Sequence, residues 1–370
     1  MNLNQFRTLY DEDRMLLTVC ADATRDSQNG EHEVALRWRG LREQLDEPAA
    51  AVALDAAEPV LLAPTGLGGQ CARTLVIDEK GEVLLDRVTT GPAVPFAHWG
   101  PFPRLTGLIS ALDRQVNHVL VALDRTGADI EVHATSGEWS ETVEGSAVGP
   151  VHKVHAGGWA DLRWQHRVEN TGEANIAEVA DRVGSLVRAA RAEVVVVTGD
   201  PRNQSLFQEA VDAKTAPLVS LLDGGGRGPG QEGRLPDELT ALLEDRAARR
   251  AREAAELFRE AHGRAQGAAQ GLAETVAALR AAAVDTLLLP PDWLPEDEGW
   301  YGPSPEMLGL EQADLAALGV PDPGRAAVAD LVVRAAVGTA ANAVVVPPHI
   351  LDLGGQPAAI LRYDPTGNGG

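Results

Sequence analysis

Apolar and polar positions alternate with period two in ARTLVIDEKGEVLLDRV, residues 72–88, on either side of Glu79-Lys80-Gly81. That alternation predicts a hairpin with a short turn. HVLVALDRTGADIEVHA at 118–134 repeats the pattern around a turn at Asp124-Arg125-Thr126-Gly127. EVVVVTG at 193–199 is a continuous apolar run instead, as expected of a strand buried on both faces. PLVSLLD at 217–223 reads the same way, and a short strand is expected near 141–143. Helical periodicity predicts helices over 33–46, roughly 171–190, and about ten residues from Asp200-Pro201, where proline suits a first turn. The last third predicts helices at about 237–262, 271–282 and 325–338, and strands at 284–289, 343–347 and 358–363. An irregular acidic insertion is expected over 290–322.

Alternation of strands and helices in each third points to an α/β protein of three domains. Residues 1–112 form a small α/β domain, with Pro-rich punctuation at 91–105 near its end. The order hairpin, strand, helix, strand, helix, strand over 113–232 predicts a middle domain with a mixed sheet. GGGRGPGQEGRLP at 224–236 marks a flexible connection to a C-terminal α/β sandwich over 233–370.

The chain has 370 residues, 44% of them hydrophobic, enough to bury large cores. No apolar run approaches the roughly 18 residues of a membrane span, and the N-terminal residues lack the layout of a secretory signal, so a cytoplasmic protein with no membrane partner is expected. Cys20 and Cys71 are read as buried small apolar residues, since two cysteines make no disulfide framework. A net charge of −22 argues against a general nucleic-acid binder. It leaves room for a local contact.

That room is filled at VHKVHAGGWADLRWQHRVEN, residues 151–170. Lys153, Arg163 and Arg167 face only Asp161 over 152–167, with His152, His155 and His166 in reserve. Gly157 and Gly158 allow backbone angles closed to other residues and a close approach to a surface, with Trp159 at the tip. A long helix follows. A locally positive finger on a negative body suits insertion into a polyanion; a solvated helix start is the plainer alternative.

Other chemistry finds little support. The chain has no G-x-x-x-x-G-K-[ST], and GGGRGPG at 224–230 contains proline and lacks an immediate helix N-terminus. His152 and His155, three apart on an extended segment, point to opposite faces, so no metal site is expected. No cofactor is expected either. A G-x-S-x-G elbow is absent, and Ser146, Ser185, Ser205 and Ser220 have no distinguishing context.

From Val151 to about Val197, the HAGGW loop, the L-R-x-Q-H-R start of a helix and the VVVVTGD strand resemble the middle domain of the archaeal and eukaryotic class-1 release factor and Pelota family. QGLAETVAALRAAAVDTLLLP at 270–290 is similar to that family's third domain, which shares its fold with kink-turn-binding ribosomal proteins. The resemblance covers roughly residues 115–370. The first domain is divergent and lacks an Asn-Ile-Lys-Ser motif, a layout that looks most like the bacterial branch, which includes the Balon-type ribosome hibernation factors.

The resemblance implies a tRNA-like protein in the ribosomal A site, its loop against ribosomal RNA, with elongation factor Tu and GDP as a further partner in the hibernation members. The loop residues it implies for RNA binding are His152, Lys153, His155, Gly157, Gly158, Trp159, Arg163, Trp164, Gln165, His166 and Arg167. Release factors use Gly-Gly-Gln to aid hydrolysis of peptidyl-tRNA. Here Trp159 follows Gly157-Gly158, and an indole, donor only, cannot order a water through a carbonyl oxygen. It can stack on a base, and Arg163 and Arg167, one turn apart, can reach phosphates together. Gly-Gly-Gln does occur at Gly68-Gly69-Gln70 and Gly354-Gly355-Gln356, where both triplets read as tight turns. The expectation is a non-catalytic A-site binder acting in ribosome hibernation or stress protection. The alternatives are a peptidyl-tRNA hydrolase or rescue factor in which Gln165 supplies the polar group, and an α/β metabolic enzyme whose pocket the sequence does not reveal.

Overall fold

The computed structural model describes residues 1–27, 29–45, 47–134, 137–145, 159–224, 235–264, 266–295 and 297–363, without the side chains of 159–171 and 235–236. The chain packs as two compact units, one of residues 1–114 with 249–370 and one of residues 115–248.

A 3-10 helix over Leu3–Tyr10 opens the first unit, followed by β1 (Leu16–Asp22), α1 (Gly30–Gln44), α2 (Ala51–Leu62), β2 (Cys71–Asp78), β3 (Val83–Thr90), β4 (Phe96–Gly100) and α3 (Thr106–Arg114). The strands form an antiparallel sheet of order β3-β2-β1-β4. Side chains alternate across it. Leu17 and Val19, with Leu75 and Ile77, meet Trp38, Leu41, Leu54 and Leu61 of α1 and α2. Leu16 and Val76 point to the other face and join a second core. Cys71 is buried as expected, whereas Cys20 is only half-buried.

The second unit contains β5 (His118–Leu123), β6 (Gly127–Ala134), β7 (Gly137–Glu144), α4 (Trp159–Ala190), β8 (Val194–Gly199), α5 (Pro201–Ala210) and β9 (Val219–Leu221), and then the first part of α6 (Leu235–Gly263). Its sheet runs β7-β6-β5-β8-β9, antiparallel from β7 to β5 and parallel from β5 to β9. This is the predicted mixed sheet. Val119, Val121, Ile130 and Val195 pack on Ile176, Val183 and Phe207, from α4 and α5. On the opposite face, Leu120, Val194 and Val196 meet Leu239, Leu242 and Leu243 of α6. β8 is thus buried on both sides. Asp200 caps α5 by accepting from the Arg202 backbone N–H at 2.9 Å. Two expectations change. β9 has three residues and is not buried, because a 3-10 turn at Ala216–Leu218 takes the start of the predicted run. α4 begins at Trp159 rather than near 171, since nothing before Gly172 in this stretch interrupts a helix.

The first unit resumes with the rest of α6 and continues through β10 (Ala268–Gln270), α7 (Leu272–Arg280), β11 (Val284–Leu289), β12 (Glu298–Tyr301), β13 (Leu308–Gly309), α8 (Gln312–Ala317), β14 (Gly324–Ala327), α9 (Val328–Gly338), β15 (Asn342–Val345) and β16 (Ala358–Leu361). One sheet has the order β10-β16-β11-β15 and a small one β13-β12-β14. The 290–322 stretch is therefore ordered rather than irregular. Its strands are too short for a period to show, and α8 is fixed by Asp314, whose carboxylate accepts from the Glu311 N–H at 3.1 Å. Residues 325–327 belong to β14, so the helix predicted from 325 starts at Val328. Leu3, Phe6 and Leu9 share one core with Leu105 and Ile109 and with Val332, Val333 and Val337 of α9. The 3-10 helix, α3 and α9 thus belong to one folded body.

Candidate functional site

His152, Lys153, His155, Gly157 and Gly158 lie outside the described residues. Trp159, Arg163, Trp164, Gln165, His166 and Arg167 fall in the helical span of α4, with side chains outside the description. What the structure supplies is the base from which this segment departs and to which it returns. The departure point is the end of β7, and the return is α4.

Three contacts fix that base. Asp124 closes the β5–β6 turn, its Oδ1 accepting from Thr126 N at 2.6 Å, Thr126 Oγ1 at 2.7 Å and Gly127 N at 2.9 Å. Such side-chain capping holds an Asx-type turn in one conformation. The carbonyl of Thr126 then accepts from the Gly145 N–H at 2.8 Å, pinning the last described residue after β7. The neighbouring carbonyl of Arg125 accepts from Asn175 Nδ2 at 3.2 Å, which pins α4 to the same turn. Asn175 is 2% exposed. The fit leaves no room for a side chain at two glycines: a Cβ on Gly145 would lie 2.1 Å from Asn175 Cγ, and one on Gly127 1.9 Å from the Val143 carbonyl oxygen. Arg167 lies two helical turns before Asn175, about 12 Å along the axis.

A fourth tie runs farther along the helix. Arg182 donates to both carboxylate oxygens of Glu141 on β7, a bidentate pair. The Arg182 hydrogen bonds hold the Glu141 carboxyl below the ordinary carboxylate range. Sequence reasoning missed Asn175, Gly145 and Arg182. The Asp124–Gly127 turn was legible; that it anchors β7 and α4 as well was not.

Charge near this base is negative. A shallow cleft of about 550 Å³ between β7 and α4 is lined by Glu141, Glu144, Glu178 and Asp181 against Arg182 alone among basic residues. It repels a polyanion. On the opposite face of the sheet, His118 and His133 stack with ring centroids 4.7 Å apart, and His133 meets Glu138 at 3.2 Å. Burial holds the His118 imidazole below its usual range. The β7–α4 cleft thus offers a nucleic acid no basic surface.

The remaining candidates resolve simply. Gly69 has φ 76°, and Gly354 and Gly355 have φ 62° and 71°, so both Gly-Gly-Gln triplets are turns, each just before a strand, β2 or β16. Ser185 and Ser205 donate to the Asp181 and Pro201 carbonyls within their own helices. Among the described residues no group of three or more His, Cys, Asp or Glu side chains is placed to hold a metal ion. No described helix is long and apolar enough to cross a membrane.

Residues 117–264, the sheet of the second unit with α4, α5 and α6, match the family model of bacterial archaeo-eukaryotic release factor family 2. The matched segment includes the whole 151–170 stretch and the base described above. Over 293 residues, 78% of each chain, the protein is 28% identical to the uncharacterized protein Rv2629 of Mycobacterium tuberculosis (strain ATCC 25618 / H37Rv). Among solved structures it is similar to Saccharomyces cerevisiae Dom34, a translation termination-like factor, at 12% identity and TM-score 0.43, covering 80% of this chain and 81% of that one. Archaeal Pelota, from a model of ribosome-bound Pelota and ABCE1, matches at 14% identity and TM-score 0.38, covering 98% and 93%.

Proposed function

We propose that the chain is a ribosome-associated translation factor that docks through residues 152–167 and does not hydrolyse peptidyl-tRNA. The observation that carries this reading is the family 2 match across a segment in which Trp159, and not glutamine, follows Gly157-Gly158. An indole offers one N–H and a large π face, suited to stacking on an unpaired base and unsuited to positioning a water. Lys153, Arg163 and Arg167 supply the phosphate contacts, with His152, His155, Trp164, Gln165 and His166 beside them. The acidic cleft between β7 and α4 disfavours an approach of RNA there. The archaeal Pelota relative is described as ribosome-bound, which supports the same partner here.

In its finer form the reading is an A-site occupant that protects idle ribosomes in hibernation or stress, in the cytoplasm, with elongation factor Tu and GDP as a further partner. Its working division is a divergent module over 1–112, the release-factor module over 113–232 and a C-terminal module over 233–370. Co-sedimentation with vacant 70S ribosomes across a salt series tests it. Binding that weakens with salt is expected, since phosphate contacts release counterions. Absence of binding at physiological salt would reject the reading. A peptide-release assay on stalled complexes should show no activity; release abolished by Gln165→Ala would assign a hydrolase instead.

A further inference from the structure

In the first unit, β4 and the loop after it face α9 through a buried carboxylate. Asp330 is 1% exposed. Its Oδ2 lies 3.6 Å from His98 Nε2 and 3.7 Å from Arg104 Nε, ion-pair distances rather than close hydrogen bonds. Its Oδ1 is buried with no hydrogen-bond partner among the described residues. Tyr10, from the 3-10 helix, also faces it with a buried, unbonded hydroxyl.

The other charges on this side of α9 are committed elsewhere. Arg334, one turn along the helix, donates to the Gly302 and Pro303 carbonyls at 3.0 and 2.8 Å and lies over the Phe102 ring at 4.7 Å. Asp113 of α3 accepts from Val345 N, while Arg114 beside it is exposed. On α7, Arg280 pairs with Asp314 and Glu274 accepts from Gln270 N. Arg325 of β14 pairs with Glu298 of β12. Arg7 on the 3-10 helix is exposed. His98 and Arg104 are the cationic or basic groups that meet Asp330.

We propose that His98 and Asp330 form a proton-operated latch between the N-terminal sheet and α9, fastened while the pair holds one proton and loosened when it holds none. Burial holds the Asp330 carboxyl up at about 7. Burial, aided by Arg104, holds the His98 imidazole down at about 4. Between these values the carboxyl carries the proton and the ring is neutral, so an O–H donor faces an imidazole nitrogen that can accept. At 3.6 Å the O–H donor and the ring acceptor face each other across the seam and draw the two elements together. Above that range the proton leaves to solvent, and a carboxylate that burial penalises replaces the donor to His98, offset in part by the Arg104 guanidinium at 3.7 Å. No other bond changes. The latch does not depend on ribosome binding.

Amide hydrogen exchange on the full-length protein between pH 5.5 and 8.5, corrected for intrinsic rates, tests this on wild type and Asp330→Asn. Amides of β4 and of the 3-10 helix should lose protection in the wild type by up to about tenfold per pH unit above 7, because opening is then linked to one proton. Those of β6, in the other unit, should not. Asp330→Asn supplies a permanent N–H donor to His98 and should hold β4 protection constant through pH 8.5. Equal pH slopes in the two proteins would overturn the latch. So would a wild-type Asp330 carboxyl carbon that titrates in the ordinary aspartate range by NMR, a measurement that decides the matter even if the variant fails to fold.

Discussion

Asp113 on α3 accepts a hydrogen bond from the backbone N–H of Val345 on β15 at 2.8 Å, across 232 residues of sequence. Both groups are buried, so the bond ties the N-terminal part of the first unit to the edge of its C-terminal sheet. Asp113→Ala leaves the Val345 N–H without an acceptor, a loss of about 1–3 kcal/mol. Calorimetry should show the transition of residues 1–114 with 249–370 moving down, while that of residues 115–248 stays in place.

Asn175→Ala removes the amide that joins α4 to the Arg125 carbonyl. We expect a stability loss near 1 kcal/mol in the second unit, the usual worth of one neutral hydrogen bond. If the base orients the 152–167 stretch, ribosome affinity falls by more than that loss implies at temperatures where the variant is fully folded. Parallel melting curves and binding isotherms separate the two effects.

Trp159→Ala should weaken binding to vacant ribosomes by about 5- to 150-fold, the value of one stacked base, 1–3 kcal/mol. Trp159→Phe retains a π face and should lose much less. Equal affinities for all three proteins would remove stacking from the reading while leaving the phosphate contacts intact.

Two groups in the α9 seam give opposite pH slopes. Asp330, raised to about 7, binds its proton more tightly in the folded chain, so its stabilising effect is complete below the ordinary aspartate value near 4 and is lost as pH rises through 7. His98, lowered to about 4, binds its proton less tightly when folded, so its contribution is complete above about 6.5 and is lost as pH falls towards 4. The slopes oppose each other between about 4 and 6.5. Stability of His98→Asn should therefore decline steadily from pH 4 to 7, and that of Asp330→Asn should rise from pH 4 to 6.5. Urea titrations at fixed pH read both.

Hairpins and long helices were legible because their periods persist for eight or more residues, as in 72–88 and 118–134. The mixed sheet followed from the same signals. β12, β13 and β14 were not legible, since strands of four, two and four residues carry no period, and what specifies them is pairing such as Trp300 opposite Arg325. β9 was overcalled for the converse reason: PLVSLLD is apolar enough for a strand, yet Pro217 starts a turn within it. Charge and glycine mark the 152–167 stretch in the sequence. The contacts at its base leave no such mark, because Gly145, Asn175 and Arg125 meet only after the sheet has formed. His98 and Asp330, 232 positions apart, likewise carry no local signal.

Because one core holds Leu3, Phe6 and Leu9 together with Val332 and Val333, the first unit cannot be completed until α9 has been made. Residues 115–248 are contiguous and suffer no such delay. During synthesis this segment can therefore reach its native form while the other unit is still an exposed sheet awaiting α9, and domains made as continuous segments do fold as units in order of emergence. The interval is a period of vulnerability for the buried faces of β1 and β2, and any slowing of translation after residue 249 would lengthen it.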